Sequence, residues 1–277
     1  MSGVSHTRER GSAVAGHTLW MFDFDNTLTP LEPAVDWAGC RRELQAWLAA
    51  QGVAQALFEE FPRGNLVLYE ALRARLCAGG DAARAVLGGL GEASAACGGR
   101  RLSETARAIL DGASAIIERH ELAGAGAVAP ATGALELLHA LRSAGATVAV
   151  VTSNSSRTVA AWLKAQAANG RGGAVKLVDL IVGRDSGLAL KPSSATLERA
   201  LALCASLSAN AGFVGDSEAD LNAAKAAAVR FYGINARTEG RDRLTTLGAS
   251  PVFSSPAAMA IYLDMPIEPA AEERSDF

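Results

Sequence analysis

Short apolar runs recur along the chain, and four of them end in polar residues. The runs cover residues 19–22, 147–151, 177–182 and 212–214. Continuous apolar runs bounded by glycine or polar turns are typical of strands that are buried on both faces, as in a parallel sheet. The pattern therefore predicts four parallel strands.

Helical patterns separate these runs. Leu135, Leu138 and Leu141 recur at helical spacing, and Gly145 follows as a C-terminal cap. Further helices are expected to start near Ser155 or Ser156, near Ser193 and near Glu218. Alternating strands and helices predict a doubly wound α/β sheet, with its site where the carboxyl ends of the strands meet at a switch point.

One interval between strands is far longer than a single crossover connection requires. It separates Asp23 from Thr152 and is rich in Ala, Leu, Arg and Glu. Helical runs are predicted near 36–50, 65–78, 81–96 and 103–121. These runs predict an inserted all-α domain with joints near 30–33 and 123–130, where the Gly-Ala-Gly-Ala segment at 124–127 is expected to act as a flexible hinge.

The predicted division of the chain follows from that insertion. A discontinuous Rossmann-like core is expected at 18–30 and 129–265, with the helical insertion at 31–128. Disordered tails are expected at 1–17 and 266–277.

Composition changes this picture little. Apolar residues make up 49% of the 277 residues and charged residues 20%, as in ordinary soluble globular proteins. A net charge of −3 provides no general attraction to nucleic acid or anionic lipid, and no run approaches the roughly 20 apolar residues of a membrane span. Four scattered cysteines without a CxxC pair are expected to be reduced thiols. The first 17 residues contain no apolar stretch typical of a secretory signal, so a cytoplasmic location is predicted.

Carboxylates follow two of the predicted strands. Asp23 and Asp25 lie two residues apart on an extended segment, so their side chains point the same way. Asp216 follows another run, and Asp220 lies one helical turn further on. Burying several negative charges is costly without a cation, and carboxylate oxygens with open positions for water and phosphate favour Mg²⁺.

Two further residues complete a candidate site for metal-assisted phosphoryl transfer. Lys191 supplies a counter-charge, and Thr152 offers a hydroxyl at the end of a third strand. Simpler interpretations exist: Asp220 is also a typical acid in the first turn of a helix. Ser153, Asn154 and Ser217 also suit ordinary turn and capping positions.

Four segments in order resemble the motifs of the haloacid dehalogenase superfamily, in particular its phosphatase branch with a helical cap, which includes phosphoglycolate phosphatase-like members. The segments are Asp23-Phe24-Asp25-Asn26-Thr27, Thr152-Ser153-Asn154, Lys191-Pro192 and Gly215-Asp216-Ser217-Glu218-Ala219-Asp220. The resemblance implies a Rossmann-like core with strand order 3-2-1-4-5. It also implies that the helical insertion is a cap. One departure is that Ser193 and Ser194 follow Lys191-Pro192, where the family often has Asp-Pro.

The resemblance also implies roles for individual residues. Asp23 would be the nucleophile, and Asp25 would be the acid and base. Mg²⁺ would be held by the Asp23 carboxylate, the Asp25 main-chain carbonyl and Asp216. Phosphoryl oxygens would be bound by Thr152, Ser153, Asn154 and Lys191. Asp220 and Ser217 would support the site.

The function expected from these roles is hydrolysis of a small phosphorylated metabolite, a phosphomonoester, through an aspartyl-phosphate. Asp25 favours phosphate-ester chemistry because the resembling dehalogenases lack this aspartate. Two alternatives remain: a phosphomutase that uses the same aspartates, and a catalytically silent phospho-ligand binding module. The sequence determines neither the substrate nor the oligomeric state.

Overall fold

The computed structural model describes residues 14–87, 104–171 and 173–266. Within these residues, six strands form one parallel sheet in the order β3-β2-β1-β4-β5-β6. The strands are β1 (Leu19–Phe22), β2 (Thr147–Val151), β3 (Leu180–Val182), β4 (Ala211–Gly215), β5 (Arg230–Ile234) and β6 (Val252–Phe253). The predicted fold class and strand order are confirmed, with β6 added at one edge.

Helices cover both faces of the sheet because the side chains of β1 alternate between two apolar clusters. Trp20 and Phe22 pack with one set of helices, and Leu19 and Met21 pack with the other. The first set is α6 (Ala134–Ser143), α7 (Ser156–Ala168) and α11 (Pro256–Tyr262). The second set is α8 (Ala195–Leu203), α9 (Glu218–Ala226) and α10 (Thr238–Thr246).

The long interval between β1 and β2 is helical in its described parts and has an apolar core of its own. Its helices are α1 (Trp37–Ala50), α2 (Gln55–Glu60), α3 (Asn65–Ala78), α4 (Gly80–Val86) and α5 (Glu104–Ala125). Helix α4 corresponds to the start of the helix predicted at 81–96. Residues 88–96 of that prediction lie outside the described ranges. Leu190, which precedes Lys191, is part of this core, so the insertion packs against the loop of the predicted third motif.

Three local predictions are corrected by the structure. Residues 174–177 form a 3-10 turn, so β3 begins at Leu180 and not at residue 177. Gly124 and Ala125 belong to α5, so the predicted hinge at 124–127 is half helical. Cys77 is disulfide-bonded, so the expectation of reduced thiols is wrong at this residue, while Cys40 and Cys204 are free.

The predicted tails at 1–17 and 266–277 lie mostly outside the described residues, which include 14–17 and 266. Val14 pairs with His17 through two backbone hydrogen bonds of 2.9 Å. His17 is buried and lies 2.9 Å from the Tyr232 hydroxyl. His17 thus contacts the core through β5. Across the described ranges, none of the helices has both the length and the apolar character needed to span a membrane.

Candidate active site

Asp23 and Asp25 lie at the carboxyl end of β1. The Asp23 N–H donates to the Val214 carbonyl at 2.8 Å, which continues the pairing of β1 with β4 beyond the strand. Asp23 is buried and Asp25 is half-buried. The chain then turns sharply, and the Asp25 carboxylate accepts a hydrogen bond of 2.9 Å from the Glu32 N–H. The first motif therefore sits between the sheet and the start of the insertion.

Three carboxylates meet beside the amino group of Lys191. Oxygen atoms of Asp23, Asp216 and Asp220 lie within 4.8 Å of one another. Lys191 Nζ lies 2.5 Å from Asp23 Oδ1 and 2.5 Å from Asp220 Oδ1. Strand pairing explains this meeting, because the carboxyl ends of β1 and β4 are adjacent in the sheet. The structure thus brings together residues from the first, third and fourth predicted motifs.

The electrostatics of this cluster favour protonated carboxyl groups when no metal is bound. Burial raises the pKa of Asp23 to about 7, with a further rise from the charge of Asp220 and an opposing effect of Lys191. Burial, together with the charges of Asp23 and Asp220, raises the pKa of Asp216 to about 8. Burial alone would lower the pKa of Lys191, but the carboxylates of Asp220 and Asp23 raise it. The lysine is therefore charged throughout the physiological range.

The donor set fits a hard divalent cation. Three buried or half-buried carboxylates face one ammonium group, so a further positive charge relieves their mutual repulsion. Asp23 and Asp216, two of these carboxylates, are predicted ligands, and the Asp25 main-chain carbonyl is the third. Asp220 differs, because its Oδ1 faces Lys191 and its Oδ2 accepts from the Ser217 hydroxyl at 2.6 Å. These two contacts are consistent with the predicted supporting role of Asp220.

Ser217 caps helix α9. Its hydroxyl accepts from the Asp220 N–H at 3.2 Å, and the Asp220 carboxylate accepts from the Ser217 N–H at 3.1 Å. This capping box holds Asp220 in place. The simple capping interpretation of Ser217 is therefore correct, and it also explains how Asp220 is aimed at Lys191.

Thr152, Ser153 and Asn154 form the loop after β2, which we call the β2 loop (residues 152–155). Phe22 and Val150 are in register, so this loop and Asp23 lie at the same edge of the sheet. The Thr152 hydroxyl is 3.1 Å from Asn154 Oδ1 and accepts from the Asn154 N–H at 3.1 Å. The Ser153 carbonyl accepts from Arg184 Nη1 at 2.9 Å. The loop is thus a structured turn at the same edge of the sheet as Asp23.

A cleft of about 490 Å³ opens beside Asp216. Its lining includes Asn26, Thr27, Asn235 and Arg237 together with Asp216. Asp216 is thus the member of the acidic cluster that lines this cleft.

Sequence reasoning missed two residues, Glu121 and Arg184, which form a fully buried ion pair next to the β2 loop. A signal for Glu121 was present in the sequence. It lies on the buried face of α5 with Ala113, Ile117 and Gly124, so a charge occupies an apolar stripe at helical spacing. No comparable signal marks Arg184, which follows the short strand β3 in a polar turn.

A family model agrees with this arrangement. The model described as haloacid dehalogenase-like hydrolase matches residues 103–234, which include α5, the β2 loop, Lys191 and the fourth motif. No match is found among curated protein sequences.

Solved structures with the same fold include CbbY from Rhodobacter sphaeroides in complex with phosphate. It is 22% identical with a TM-score of 0.55 and covers 90% of this chain and 99% of its own. A hydrolase from Pseudomonas syringae is 22% identical with a TM-score of 0.54, and the match covers 90% of this chain and 98% of that one. A predicted phosphatase from Clostridium acetobutylicum is 15% identical with a TM-score of 0.54, covering 89% and 98%. At these identities the likeness shows the fold.

The resemblance predicted from the four motifs is therefore confirmed. The chain matches the haloacid dehalogenase-like hydrolase model through its central part and has the fold of such hydrolases along most of its length.

Proposed function

We propose that the protein is a Mg²⁺-dependent phosphatase that hydrolyses a small phosphomonoester through an aspartyl-phosphate on Asp23. The observation that carries the proposal is the contact of 2.5 Å between the Asp23 carboxylate and Lys191 Nζ, within a cluster that includes Asp216. A carboxylate held by a lysine and facing a second carboxylate is the arrangement needed to attack an anionic group with a metal's help.

The first half-reaction transfers the phosphoryl group to the protein. An Asp23 oxygen forms a bond to phosphorus while the ester P–O bond breaks, and Asp25 gives its proton to the departing alcohol oxygen. The environment of Asp25 suits this role, because burial raises its pKa to about 6 while the Glu32 backbone N–H opposes the rise. Lys191, Thr152 and the β2 loop amides would hold the equatorial oxygens.

The second half-reaction restores the enzyme. Asp25, now deprotonated, takes a proton from a water molecule that attacks phosphorus, and the bond between Asp23 and phosphorus breaks to release inorganic phosphate. Mg²⁺, when bound by Asp23, Asp216 and the Asp25 carbonyl, would neutralise charge on the transferring group. Asp220 would keep Lys191 in position.

The helical insertion at 31–128 is proposed to act as a cap that excludes water and contributes the contacts that select the substrate.

The substrate class proposed is a small phosphorylated metabolite. The Rhodobacter sphaeroides CbbY structure, which holds phosphate, is consistent with this class. The cytoplasmic location stays a prediction.

Product analysis distinguishes the proposed hydrolase from the two alternatives. A phosphatase releases inorganic phosphate, a phosphomutase yields an isomeric ester, and a silent binding module yields neither. A screen of phosphate esters with Mg²⁺, in which both phosphate and isomeric esters are measured, makes this distinction.

The decisive variant is Asp23→Asn. It should bind Mg²⁺ more weakly and lose turnover, because an amide does not attack phosphorus. The matched control is Asp36→Asn, which makes the same chemical change at the cap of α1, where Asp36 accepts from the Gly39 N–H at 2.8 Å. Asparagine caps helices as well as aspartate, so this control should keep wild-type turnover. Substantial turnover by a folded, purified Asp23→Asn protein would remove Asp23 as the nucleophile.

A further inference from the structure

Glu121 and Arg184 form an ion pair whose side chains are 0% exposed. Arg184 Nη1 lies 2.8 Å from Glu121 Oε1, and Arg184 Nη2 lies 3.2 Å from Glu121 Oε2. Glu121 belongs to α5, the last helix of the insertion, whereas Arg184 follows β3 in the core. The pair therefore joins the two parts of the molecule.

The remaining contacts of Glu121 converge on one loop. Its Oε1 accepts from Asn154 Nδ2 at 3.0 Å, and its Oε2 accepts from the Ser155 N–H at 3.1 Å. The Thr158 hydroxyl donates to Oε2 at 3.1 Å. One carboxylate thus holds the side chain and the backbone at the end of the β2 loop, together with the first turn of α7.

Arg184 holds the same loop from its other side. Its Nη1 donates to the Ser153 carbonyl at 2.9 Å, and its Nε donates to the Ser114 hydroxyl at 3.1 Å. Through Asn154, the contacts continue to the Thr152 hydroxyl. A chain of hydrogen bonds therefore runs from Glu121 to the residue proposed to bind phosphoryl oxygens.

The stability of the fold does not by itself require a buried ion pair at this position. A buried ion pair can often be replaced by apolar residues of similar size without loss of stability. Glu121 accepts hydrogen bonds from the Asn154 side chain and the Ser155 N–H, and Arg184 donates to the Ser153 carbonyl. Because hydrogen bonds are directional, they orient the β2 loop in a way that apolar packing does not.

We infer that Glu121 and Arg184 are positioning residues for the phosphoryl-binding β2 loop, and that through Glu121 the insertion helix α5 helps to set the geometry of that loop. The inference rests on the proposed function, because it assigns the loop to phosphoryl binding. Neither residue touches the substrate in this scheme. Both act through the Ser153 carbonyl, the Asn154 side chain and the Ser155 N–H.

The first test is Glu121→Gln, which keeps the volume of the side chain. Its amide nitrogen would face the Ser155 N–H and Arg184, both of which are donors, so the loop must shift. We expect kcat/KM for an aryl phosphate to fall by about tenfold to a hundredfold. The inhibition constant of inorganic phosphate should rise, while the Mg²⁺ concentration at half-saturation stays near the wild-type value.

The chain provides a matched control on the same helix. Glu118 lies less than one turn before Glu121 and pairs at 2.8 Å with Arg157 of α7, an arginine whose side chain is 74% exposed. Glu118→Gln breaks an ion pair between α5 and α7 without touching the β2 loop. It should leave turnover and phosphate inhibition unchanged.

A double substitution separates positioning from a purely structural role. Glu121→Leu with Arg184→Met replaces the pair by apolar side chains, which should restore thermal stability relative to either single change. A positioning role predicts that this stable protein still has low kcat/KM and weak phosphate inhibition. Recovery of wild-type kcat/KM in the double variant would overturn the inference.

Amide hydrogen exchange provides a measurement that needs neither the double variant nor turnover. The Ser155 amide should exchange faster in Glu121→Gln than in the wild type or in Glu118→Gln. Unchanged protection in a folded Glu121→Gln protein would overturn the positioning of the loop. A wild type that releases no phosphate from any ester would overturn the proposed function alone, because the exchange result still decides whether Glu121 holds the loop.

Discussion

The two aspartates of the first motif are only two residues apart, yet their surroundings differ. Asp23 is buried against the ammonium group of Lys191, which keeps it available as an anion once a metal is bound. Asp25 is half-buried, and its carboxylate accepts hydrogen bonds from neutral backbone N–H groups, including that of Glu32. With its pKa raised to about 6 by burial, Asp25 can hold a proton near neutral pH and release it readily.

This difference predicts distinct phenotypes. Asp25→Ala should spare much of the first step for an activated aryl phosphate, whose leaving group needs little protonation, and should slow the hydrolysis of the aspartyl-phosphate. The phosphorylated protein should then accumulate and be detected by acid quench and mass measurement. Equal losses with good and poor leaving groups, with no trapped intermediate, would argue against an acid-base role.

The raised pKa values at the cluster also predict how Mg²⁺ binding depends on pH. With pKa values of about 7 for Asp23 and about 8 for Asp216, both groups bind protons as the pH falls from 8 to 6 in the metal-free protein. Mg²⁺ must displace these protons, so its affinity should fall with decreasing pH, by about tenfold per unit for each proton displaced. Calorimetric titration in buffers of different ionisation enthalpy measures the released protons. An affinity that is constant from pH 6 to 8 would contradict these shifts.

At the scale of elements, helix α5 connects the insertion to the core. It spans 22 residues, and Glu121 near its end contacts the loop after β2. Gly124 lies one turn further on, and a β-carbon there would stand 2.7 Å from the Ala34 carbonyl oxygen. The glycine therefore permits a close approach between α5 and the segment that enters the insertion.

A pair of glycine substitutions tests this packing. Gly124→Ala should lower the free energy of unfolding by about 1–3 kcal/mol, because the clash with backbone outweighs the better helix propensity of alanine. Gly126→Ala is the control, since no atom would lie within 4 Å of its β-carbon. Chemical denaturation of both proteins gives the comparison. If the two variants are equally stable, Gly124 serves flexibility and not packing.

At the scale of the whole molecule, the insertion contacts two loops of the proposed site. Glu121 binds the β2 loop, and Glu70 of α3 accepts at 3.2 Å from the N–H of Leu190, the residue before Lys191. The side chain of Leu190 is buried in the core of the insertion. A movement of the insertion would therefore displace the two loops that carry the residues proposed to hold the phosphoryl group.

Replacing residues 31–128 with a short linker tests the proposed cap. The replacement should be combined with Arg184→Met, because removal of Glu121 would leave the Arg184 charge without its buried partner. Turnover should fall, and the ratio of kcat/KM between the best and worst phosphate esters should shrink. Mg²⁺ binding should persist because the proposed ligands lie in the core. A substrate profile that stays unchanged would exclude the insertion from specificity.

Much of the fold could be predicted from local pattern. Strands β1 and β2 coincide with the apolar runs at 19–22 and 147–151, because strands buried on both faces require unbroken apolar sequence. Helices α1 and α3 follow their predicted ranges closely for a similar reason, since each has an amphipathic repeat and a break after it. The short strand β3 was less predictable, because its apolar run continues from a 3-10 turn.

The sequence by itself therefore predicted the parallel sheet, the helical insertion, the acidic residues after β1 and β4, and Lys191 in the loop before α8. Those features depend on local composition and on the order of elements. Only the tertiary structure decided that Asp220 forms an ion pair with Lys191 and that Glu121 meets Arg184, residues separated by 63 positions in the chain. Such contacts depend on how helices rotate and pack against the sheet, and no local pattern encodes that geometry.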